Sequence, residues 1–342
     1  MRVLHLLASN RYSGAENVVC QIINMFESEI EMVYCSPKGE IENTLKEKGV
    51  PYLSIEKLNK NEVKKAVEKF RPDIVHAHDI RASIVAGAFS KQVKVISHIH
   101  GSDKRNMGKI TPKSMLYAMA SKRFKNVICV SNSCLNDYYF KNKIKDKSII
   151  LHNIISLEKL FNQEKNDKAT YDYEVCYLGR LSDVKNPLRA LEIMKAVINK
   201  RPKTKCVVVG DGELKRQCEL FVKENGLTEN IDILGFMKNP YKILKSSRVL
   251  LMSSISEGTP MALVEAFAFG VPTVSTKVDG AIEIVKDSRM GYLYESNEEA
   301  AGQIITILEN DKKEYVDYLT AFSKEYNNID FYKQKMLEVY ND

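Results

Sequence analysis

The sequence has no long hydrophobic run and no leader-like beginning. None of its stretches reaches the roughly 18 consecutive apolar residues that a membrane-spanning helix needs. Met1 leads directly into the strand-like segment RVLHLLA and not into a basic and then apolar signal peptide. These two absences argue against an integral membrane protein and against a secreted one. We therefore expect a cytosolic protein.

Paired cysteine motifs are absent as well. The chain has seven cysteines, an odd number, and no two of them have the C-x-x-C spacing. This pattern indicates neither a disulfide framework nor a zinc site. The residues predicted to be reduced and buried are Cys20, Cys35, Cys129, Cys134, Cys176, Cys206 and Cys218.

Strand-like and helix-like segments alternate along both halves of the chain. The first half opens with a buried-strand pattern, a loop and a helix predicted from near Ala15. Only Gly14 lies in that loop, so the G-x-G-x-x-G fingerprint of a dinucleotide site is missing. The alternation predicts an α/β fold of parallel, doubly wound sheets with ligands at the carboxyl ends of the strands. The length allows two domains, and the polar, non-periodic residues 158–173 are the predicted linker.

Positive charge is concentrated in one region. Residues 91–147 contain thirteen Lys or Arg and three Asp, a local charge of +10, so the rest of the chain carries −3 of the net +7. Such a region suits an anionic membrane surface, a nucleic acid or solubility alone. We do not expect nucleic acid, because no stacking aromatics interleave with these lysines.

Residues 249–274 combine a strand pattern, a sharp turn and a helix pattern. Gly258, Thr259 and Pro260 form the turn, and the helix is predicted to begin at Met261. Proline suits the first helical turn because its missing N–H would have no partner there, and glycine lets the backbone approach a ligand closely. The free N–H groups and the positive dipole end of the helix predict a bound phosphate.

Two carboxylates frame this turn. Glu257 precedes the helix, and Glu265 lies in its second turn. A carboxylate can accept two hydroxyl hydrogens, so a sugar or ribose diol suits each of them. Taken singly, Glu257 is equally a helix-capping residue and Glu265 a solvated helix position.

The segment EGTPMALVE, followed by AFAFGVPTV, resembles the E-x7-E signature of the retaining nucleotide-sugar glycosyltransferases of family 4, also called group 1. The resemblance implies the GT-B fold, in which two Rossmann-like doubly wound domains face each other across a cleft. It also implies that Glu257 contacts the transferred sugar and Glu265 the ribose. The residues between them that line the donor site are then Gly258, Thr259, Pro260, Met261 and Ala262.

A second motif, LGRLSDVKNP, resembles the G-R-L-x-x-x-K-N pattern of the same family. The resemblance implies that Arg180 and Lys185 bind the donor diphosphate, and that Phe236 lies near the base. A guanidinium and an ammonium together can neutralise a leaving diphosphate, so we expect no metal and no cofactor, the nucleotide sugar being a substrate. Either residue alone would be an ordinary surface cation.

Two segments of the first half resemble the family's other site motifs. HIHGSD is similar to a strand-end motif whose histidine lies against the donor sugar, which implies a catalytic role for His100. Ser13, Gly14 and Ala15 resemble a Gly-Gly-Ala-Glu loop on the acceptor side, with Ser replacing the first Gly.

Four histidines occupy alternate positions in two strand-like segments. His76 and His78 flank Ala77, and His98 and His100 flank Ile99. Alternate residues of a strand share a face, so each pair could coordinate a metal ion. Apart from Asp79 and Asp103, however, no carboxylate or cysteine accompanies them in a ligand spacing. Packing is therefore the default interpretation for all but His100, and no metal site is predicted.

The helix-like segment KSMLYAMASKRFKN allows two interpretations. Met115, Leu116, Met119 and Ala120 share one side, which is typical of a core-facing stripe. A basic helix of this kind can instead rest on anionic lipid, and in relatives with lipid-linked acceptors this part of the first domain meets the membrane. The second interpretation makes residues 91–147 a contact with the inner face of the cell membrane.

The predicted organisation is an acceptor-binding domain (1–157), a linker (158–173), a nucleotide-sugar domain (174–325) and a terminal helix that returns to the first domain (326–342). The predicted activity is metal-independent hexosyl transfer, with retention, from a nucleotide diphosphate sugar. UDP is the expected nucleotide, and a glycan or lipid-linked intermediate of surface polysaccharide biosynthesis is the expected acceptor.

Two alternatives remain open. A UDP-sugar 2-epimerase of the same architecture would release no glycoside. A non-catalytic sugar-nucleotide-binding protein would be expected to have lost one of the residues Arg180, Lys185, Glu257 and Glu265, and all four are present.

Overall fold

The computed structural model describes residues 1–101 and 104–342 and divides into two units. Unit 1 contains Met1–Ile154 and Ile329–Asp342, and unit 2 contains Ile155–Asn328. Asp103 lies outside the described residues.

Thirteen strands lie in the described part of the chain. They are β1 (Arg2–Leu6), β2 (Glu31–Pro37), β3 (Tyr52–Ile55), β4 (Ile74–His78), β5 (Lys94–Ile99), β6 (Asn126–Cys129), β7 (Ser148–Ile150), β8 (Val175–Leu178), β9 (Cys206–Val209), β10 (Ile231–Gly235), β11 (Val249–Met252), β12 (Thr273–Thr276) and β13 (Gly291–Tyr294).

Sixteen α-helices separate or follow these strands in the same described residues. They are α1 (Gly14–Met25), α2 (Ile41–Glu47), α3 (Lys60–Phe70), α4 (Asp79–Ala86), α5 (Lys104–Met107), α6 (Pro112–Ser121), α7 (Asn132–Asn136), α8 (Leu157–Asn166), α9 (Pro187–Lys200), α10 (Lys215–Glu224), α11 (Tyr241–Ser246), α12 (Met261–Ala268), α13 (Asp279–Ile284), α14 (Asn297–Glu309), α15 (Lys312–Tyr326) and α16 (Ile329–Asn341). Short 3-10 turns occupy Gly87–Phe89, Lys141–Lys143 and Lys145–Lys147.

Each unit contains one parallel sheet, which confirms the predicted doubly wound α/β architecture. The strand order is β3-β2-β1-β4-β5-β6-β7 in unit 1 and β10-β9-β8-β11-β12-β13 in unit 2. Strands such as β9 (CVVV) and β11 (VLLM) are buried along their whole length, as expected for parallel strands covered on both faces. In both sheets the strand order reverses between the first strand and the fourth, and ligands of such sheets bind beside that point.

The two faces of the unit 1 sheet carry separate apolar cores. Successive residues of a strand point to opposite faces, so Leu4 and Leu6 join the core that contains Tyr117 of α6. Val3 joins the opposite core, which contains residues of α1 and the buried Met336 of α16. The terminal helix α16 therefore belongs to the packing of unit 1.

The predicted linker is wrong in its first half. Residues 157–166 form helix α8, whose N-cap Ser156 accepts a hydrogen bond from the Lys159 N–H at 3.4 Å. The buried side of α8 carries Leu160 and the carboxylate of Glu164. The linker prediction failed because a buried glutamate counts as polar in a sequence pattern, and this one is paired with lysines of α11.

The seven cysteines are all buried, as predicted, and none of them takes part in a disulfide. Among the described residues, no helix combines the length and the apolar character needed to cross a membrane.

Candidate functional site

Three of four neighbouring loops at one edge of the unit 2 sheet carry the predicted donor residues. Arg180 follows β8, Phe236 follows β10 and Glu257 follows β11, while α10 begins after the loop that follows β9. All these strands are parallel, so their carboxyl ends lie at the same edge. Strands β8 and β11 are direct neighbours at the reversal of strand order. The loops therefore lie where doubly wound sheets bind ligands.

Lys185 and Glu257 meet although 72 residues separate them. The Lys185 ammonium donates to Glu257 Oε1 at 2.5 Å, and the Ser254 hydroxyl donates to the same oxygen at 2.6 Å. The Glu257 side chain is only 9% exposed, whereas Lys185 is about one third exposed. A carboxylate this buried needs a charged partner, because an unpaired buried charge is strongly unfavourable. The structure thus brings together two of the four predicted key residues in one ion pair.

Arg180 lies near this pair in sequence, and its guanidinium remains available to an anionic ligand. Its side chain is 62% exposed, and its nearest described carboxylate is Glu213 Oε2, 3.5 Å from Nη2. An exposed pair of this kind contributes about 0–1 kcal/mol, so a phosphate can displace it at little cost. Sequence reasoning missed Glu213, because the GDGE segment that contains it has only the pattern of a turn at the end of a strand.

The GDGE turn packs directly on the loop that carries Arg180. A Cβ atom on Gly210 would lie 1.8 Å from the Gly179 carbonyl oxygen, and Gly210 has a positive φ of 150°. The Leu181 N–H donates to the Asp211 carbonyl at 2.9 Å, which ties the two loops together. Only glycine leaves room for this approach. The GDGE segment, whose pattern is half of a phosphate-binding fingerprint, therefore supports the loop that carries Arg180.

Helix α12 begins at Met261, as predicted, with a small correction at Pro260. Pro260 is the N-cap residue and not part of the first turn, and its carbonyl oxygen accepts from the Leu263 N–H at 3.0 Å. The first-turn N–H groups of a helix have no intrahelical acceptors. Thr259 and Gly258 are buried beneath this helix start.

The carboxyl of Glu265 is a weaker acid than an ordinary glutamate. It is half-buried, and its Oε1 accepts from the Tyr241 hydroxyl at 3.4 Å. Burial raises the pKa of this carboxyl to about 7, although the Tyr241 hydrogen bond opposes the shift.

Phe236 is 75% exposed, so its ring is free to contact a planar ligand. Met261 and Ala262, in the first turn of α12, are also partly exposed.

His100 and the loop 13–15 belong to unit 1. The His100 backbone N–H donates to Asp79 Oδ1 at 3.1 Å, and its Nε2 lies 2.8 Å from His78 Nδ1. Burial lowers the pKa of His100, and the nearby Asp79 carboxylate opposes this shift. The imidazole is therefore neutral near pH 7.

Helix α1 begins at Gly14, one residue earlier than predicted. The Ser13 hydroxyl donates a short hydrogen bond to the buried Glu16 carboxylate. A Cβ atom on Gly14 would meet nothing within 4 Å, so this glycine leaves open space at the helix start. Ser13, Gly14 and Ala15 are all at least partly exposed.

The paired histidines share a face, as the strand periodicity predicts. The ring centroids of His76 and His78 lie 4.4 Å apart, and those of His98 and His100 lie 4.1 Å apart. A fifth histidine, His5 of β1, stacks beside them and was missed by sequence reasoning. Its position became informative only with the strand order, because β1 is the neighbour of β4.

The stripe on helix α6 does not face the core. Met115, Leu116 and Met119 are exposed, the last by 65%, and α6 instead buries a face that contains Tyr117 and Ala118. Ala120, the fourth residue of the stripe, is partly buried. The core interpretation is therefore wrong for Met115, Leu116 and Met119. Exposed cations follow the helix at residues 122, 123 and 125.

Two family models match adjoining parts of the chain. The model described as Glycosyltransferase Family 4 matches residues 12–159, and the model described as Glycosyl transferases group 1 matches residues 158–324. The resemblance that the E-x7-E segment indicates is thereby confirmed.

Curated relatives and solved structures agree with these models. An uncharacterised glycosyltransferase of Methanocaldococcus jannaschii is 29% identical, over 75% of this chain and 71% of the relative. The UDP-Gal:alpha-D-GlcNAc-diphosphoundecaprenol alpha-1,3-galactosyltransferase of Escherichia coli is 28% identical, over 68% of this chain and 65% of the relative. The crystal structure of Anabaena HepE in complex with UDP superposes with a TM-score of 0.85 at 19% identity and covers 100% of both chains. The last likeness confirms the predicted fold.

Proposed function

Because this chain belongs to the group 1 glycosyltransferases with the GT-B fold, we propose that it transfers a sugar with retention from a UDP-sugar to a glycan or lipid-linked acceptor of surface polysaccharide biosynthesis. The relative from Escherichia coli supports this choice, since its name gives a UDP-sugar donor and an undecaprenol diphosphate acceptor. The UDP complex of HepE supports the same nucleotide.

The observation that carries the proposal is the Lys185–Glu257 ion pair at the strand-order reversal of unit 2. A donor diphosphate attracts the Lys185 ammonium and the loosely paired Arg180 guanidinium. Together with the N-terminus of α12, these cations neutralise the charge that grows on the departing diphosphate. The donor site then needs no metal ion, and no cofactor takes part.

Release of Lys185 also changes Glu257. Its carboxylate is left with the Ser254 hydroxyl and gains room to accept a hydroxyl hydrogen from the transferred sugar. Glu265 accepts from the ribose, and Phe236 lies against the base. His100, as a neutral imidazole, donates a hydrogen bond to the sugar. No carboxylate is assigned as a nucleophile, and the leaving phosphate assists attack from the same face.

The acceptor side is assigned to unit 1. Ser13, Gly14 and Ala15 border the open space at the start of α1. The exposed apolar residues of α6 and the basic region 91–147 rest on an anionic membrane surface, where a lipid-linked acceptor is held. This membrane contact is supported by the exposure of Met115, Leu116 and Met119.

The test is a transfer assay with UDP-, GDP- and ADP-sugars and an undecaprenyl-diphosphate-linked sugar acceptor, with EDTA present. We expect a UDP-sugar to give a new glycoside that keeps the anomeric configuration of the donor, as read by NMR. An inverted product would overturn retention. A free epimerised sugar nucleotide formed without acceptor would favour the 2-epimerase, and donor binding without any turnover would favour a non-catalytic protein.

A further inference from the structure

Five of the six histidines of the chain form one stacked array on a face of the unit 1 sheet. The strand registers pair His5 with His76 and His78 with His98, on the neighbouring strands β1, β4 and β5. His100 follows directly after β5. The first four side chains are at most 1% exposed. Several ring nitrogens of the array, both of those of His98 included, have no hydrogen-bond partner among the described residues, and a buried polar atom without a partner costs roughly 1–3 kcal/mol.

Three members of the array converge on one point. One ring nitrogen from each of His5, His76 and His78 lies within 4.8 Å of the others. His5 Nδ1 and His78 Nε2 are 3.0 Å apart. His76 Nε2 is buried and has no hydrogen-bond partner among the described residues.

The other ring nitrogen of each residue in this trio is already engaged by a group outside it. The three contacts are His5 Nε2 with Met32 Sδ at 3.4 Å, His76 Nδ1 with Tyr340 Oη at 2.9 Å, and His78 Nδ1 with His100 Nε2 at 2.8 Å. When these engaged nitrogens carry the protons, the remaining ring nitrogen of each residue keeps a lone pair. Histidines that bind metals have this arrangement, in which the non-ligating N–H donates to a second group that fixes the tautomer and the ring orientation.

We propose that His5, His76 and His78 bind a divalent ion of the zinc class inside unit 1. Zinc–nitrogen bonds of about 2.0–2.1 Å in a tetrahedral site place ligand nitrogens about 3.3 Å apart. The one separation that is resolved, 3.0 Å between His5 Nδ1 and His78 Nε2, is close to this value, and the whole trio lies within 4.8 Å. Imidazole nitrogens suit zinc, cobalt and nickel ions, and a site with three protein ligands leaves a fourth position for water.

The ion has a consequence for His100. Binding through His78 Nε2 fixes the proton of His78 on Nδ1, where it is donated to His100 Nε2. His100 must then carry its own proton on Nδ1. The metal thus selects the tautomer of the histidine that the proposed function assigns to the donor sugar, although the metal site itself does not depend on that assignment.

Metal content after refolding provides the test. The protein is unfolded with denaturant and chelator, refolded with Zn²⁺ or Co²⁺, desalted and measured for bound metal per chain. We expect about one ion per chain in the wild type and background levels in His5→Gln and His76→Gln. His98→Gln, from the same array but outside the trio, and His152→Gln, outside the array, should retain the ion. Tyr340→Phe, which removes the acceptor of the His76 N–H, should weaken affinity about 10-fold to 100-fold.

The cobalt form keeps the test decisive where a variant does not fold, because imidazole and thiolate ligands of Co²⁺ have different absorption spectra. A wild-type protein that binds no stoichiometric metal, or one with cobalt–thiolate bands, would overturn the proposal. The same conclusion would follow if folded His98→Gln lost the ion while folded His5→Gln retained it. In that case the outer trio His78, His98 and His100, whose ring nitrogens also lie within 4.8 Å of one another, would be the site.

Discussion

Arg180 combines high exposure with a weak partner, which is what a residue held ready for an anionic ligand needs. Its ion pair with Glu213 spans 3.5 Å at the surface, so replacing it by Ala should leave the free energy of unfolding almost unchanged. Loss of one charge-stabilising donor at a reacting centre typically costs about 10²–10³ in turnover. We therefore expect Arg180→Ala to lower kcat by about that factor, measured as UDP release in the transfer assay.

Arg216 offers the matched control for this variant. It is exposed on α10, outside the donor loops, and Arg216→Ala removes the same charge from the same unit. Equal turnover of the two variants would contradict the assigned role of Arg180.

The acidity of Glu265 gives a prediction for pH. Burial places the pKa of the free carboxyl at about 7, whereas ribose hydroxyls donating to it favour the ionised form and lower that pKa. Binding of UDP should therefore release a proton below pH 7. We expect the affinity for UDP to rise from pH 6 to pH 7 and to level off above it, with at most about a tenfold change per pH unit.

Glu265→Gln separates this effect from the titration of UDP itself. Its affinity, measured by calorimetry, should be weaker and should follow only the pH dependence of the nucleotide. A variant with the same pH profile as the wild type would show that Glu265 does not bind the ribose.

Site residues that belong to a recognisable sequence motif could be predicted. Residues that reach the site only because of the strand order or the loop packing were missed. Lys185 and Glu257, 72 residues apart, could both be assigned to the donor site in advance because each belongs to a recognisable motif, although their ion pair was not predicted. Glu213 and His5 could not be assigned in the same way. Their contacts arise from strand order and loop packing, which are long-range features that local patterns do not contain.

At the scale of elements, the start of α13 supports the donor loop. A Cβ atom on Gly280 would lie 1.8 Å from the Gly258 carbonyl oxygen and 2.9 Å from Pro260 Cδ. Gly280→Ala should therefore displace the loop, lower the free energy of unfolding by about 1–3 kcal/mol and weaken UDP binding. Urea unfolding and UDP titration measure the two effects.

Gly302 provides the comparison, since it lies within α14 and a Cβ atom added there would have nothing within 4 Å. Gly302→Ala should raise the free energy of unfolding by about 0.5–1 kcal/mol, because alanine has the higher helix propensity, and should leave the affinity for UDP unchanged. A Gly280→Ala protein that binds UDP as the wild type does would show that the loop does not need this support.

Helix α8 shows where element prediction stops. Its buried side pairs Glu164 with Lys242 at 3.3 Å and with Lys245 at 3.0 Å, both on α11. A carboxylate buried between two lysines has no apolar signature in the sequence. Helix α12, in contrast, was predicted to its first residue because a glycine–proline turn and an apolar pattern coincide there.

The uneven distribution of charge over the whole molecule predicts that it binds anionic membranes. The exposed residues Met115, Leu116 and Met119 lie within the basic region 91–147. We expect the protein to sediment with vesicles of phosphatidylglycerol but not of phosphatidylcholine, and binding should weaken with salt because surface electrostatics are screened.

A triple variant with Ser at positions 115, 116 and 119 should lose this binding while it keeps its fold, because the three side chains are exposed. Leu220→Ser, which removes an exposed apolar residue from unit 2, is the control and should bind as the wild type does. Unchanged sedimentation of the triple variant would contradict a membrane contact through α6.

The division into units could also be anticipated only in part from the sequence. Repeated β-α alternation predicts two doubly wound sheets, and both are present. Unit 2 begins at Ile155, whose backbone N–H donates to the Asn327 side-chain oxygen at 2.9 Å. This contact joins residues 172 positions apart, and no local pattern indicates it.

We propose that the loops of unit 2 hold a uridine diphosphate through Lys185, Arg180 and the start of α12 without a metal ion. Calorimetric titration of the wild type and of Lys185→Gln with UDP, in the presence of EDTA, tests it most directly. We expect saturable binding of one UDP per wild-type chain and a clear loss of affinity in the variant. Binding that requires a divalent ion, or equal affinity of both proteins, would contradict it.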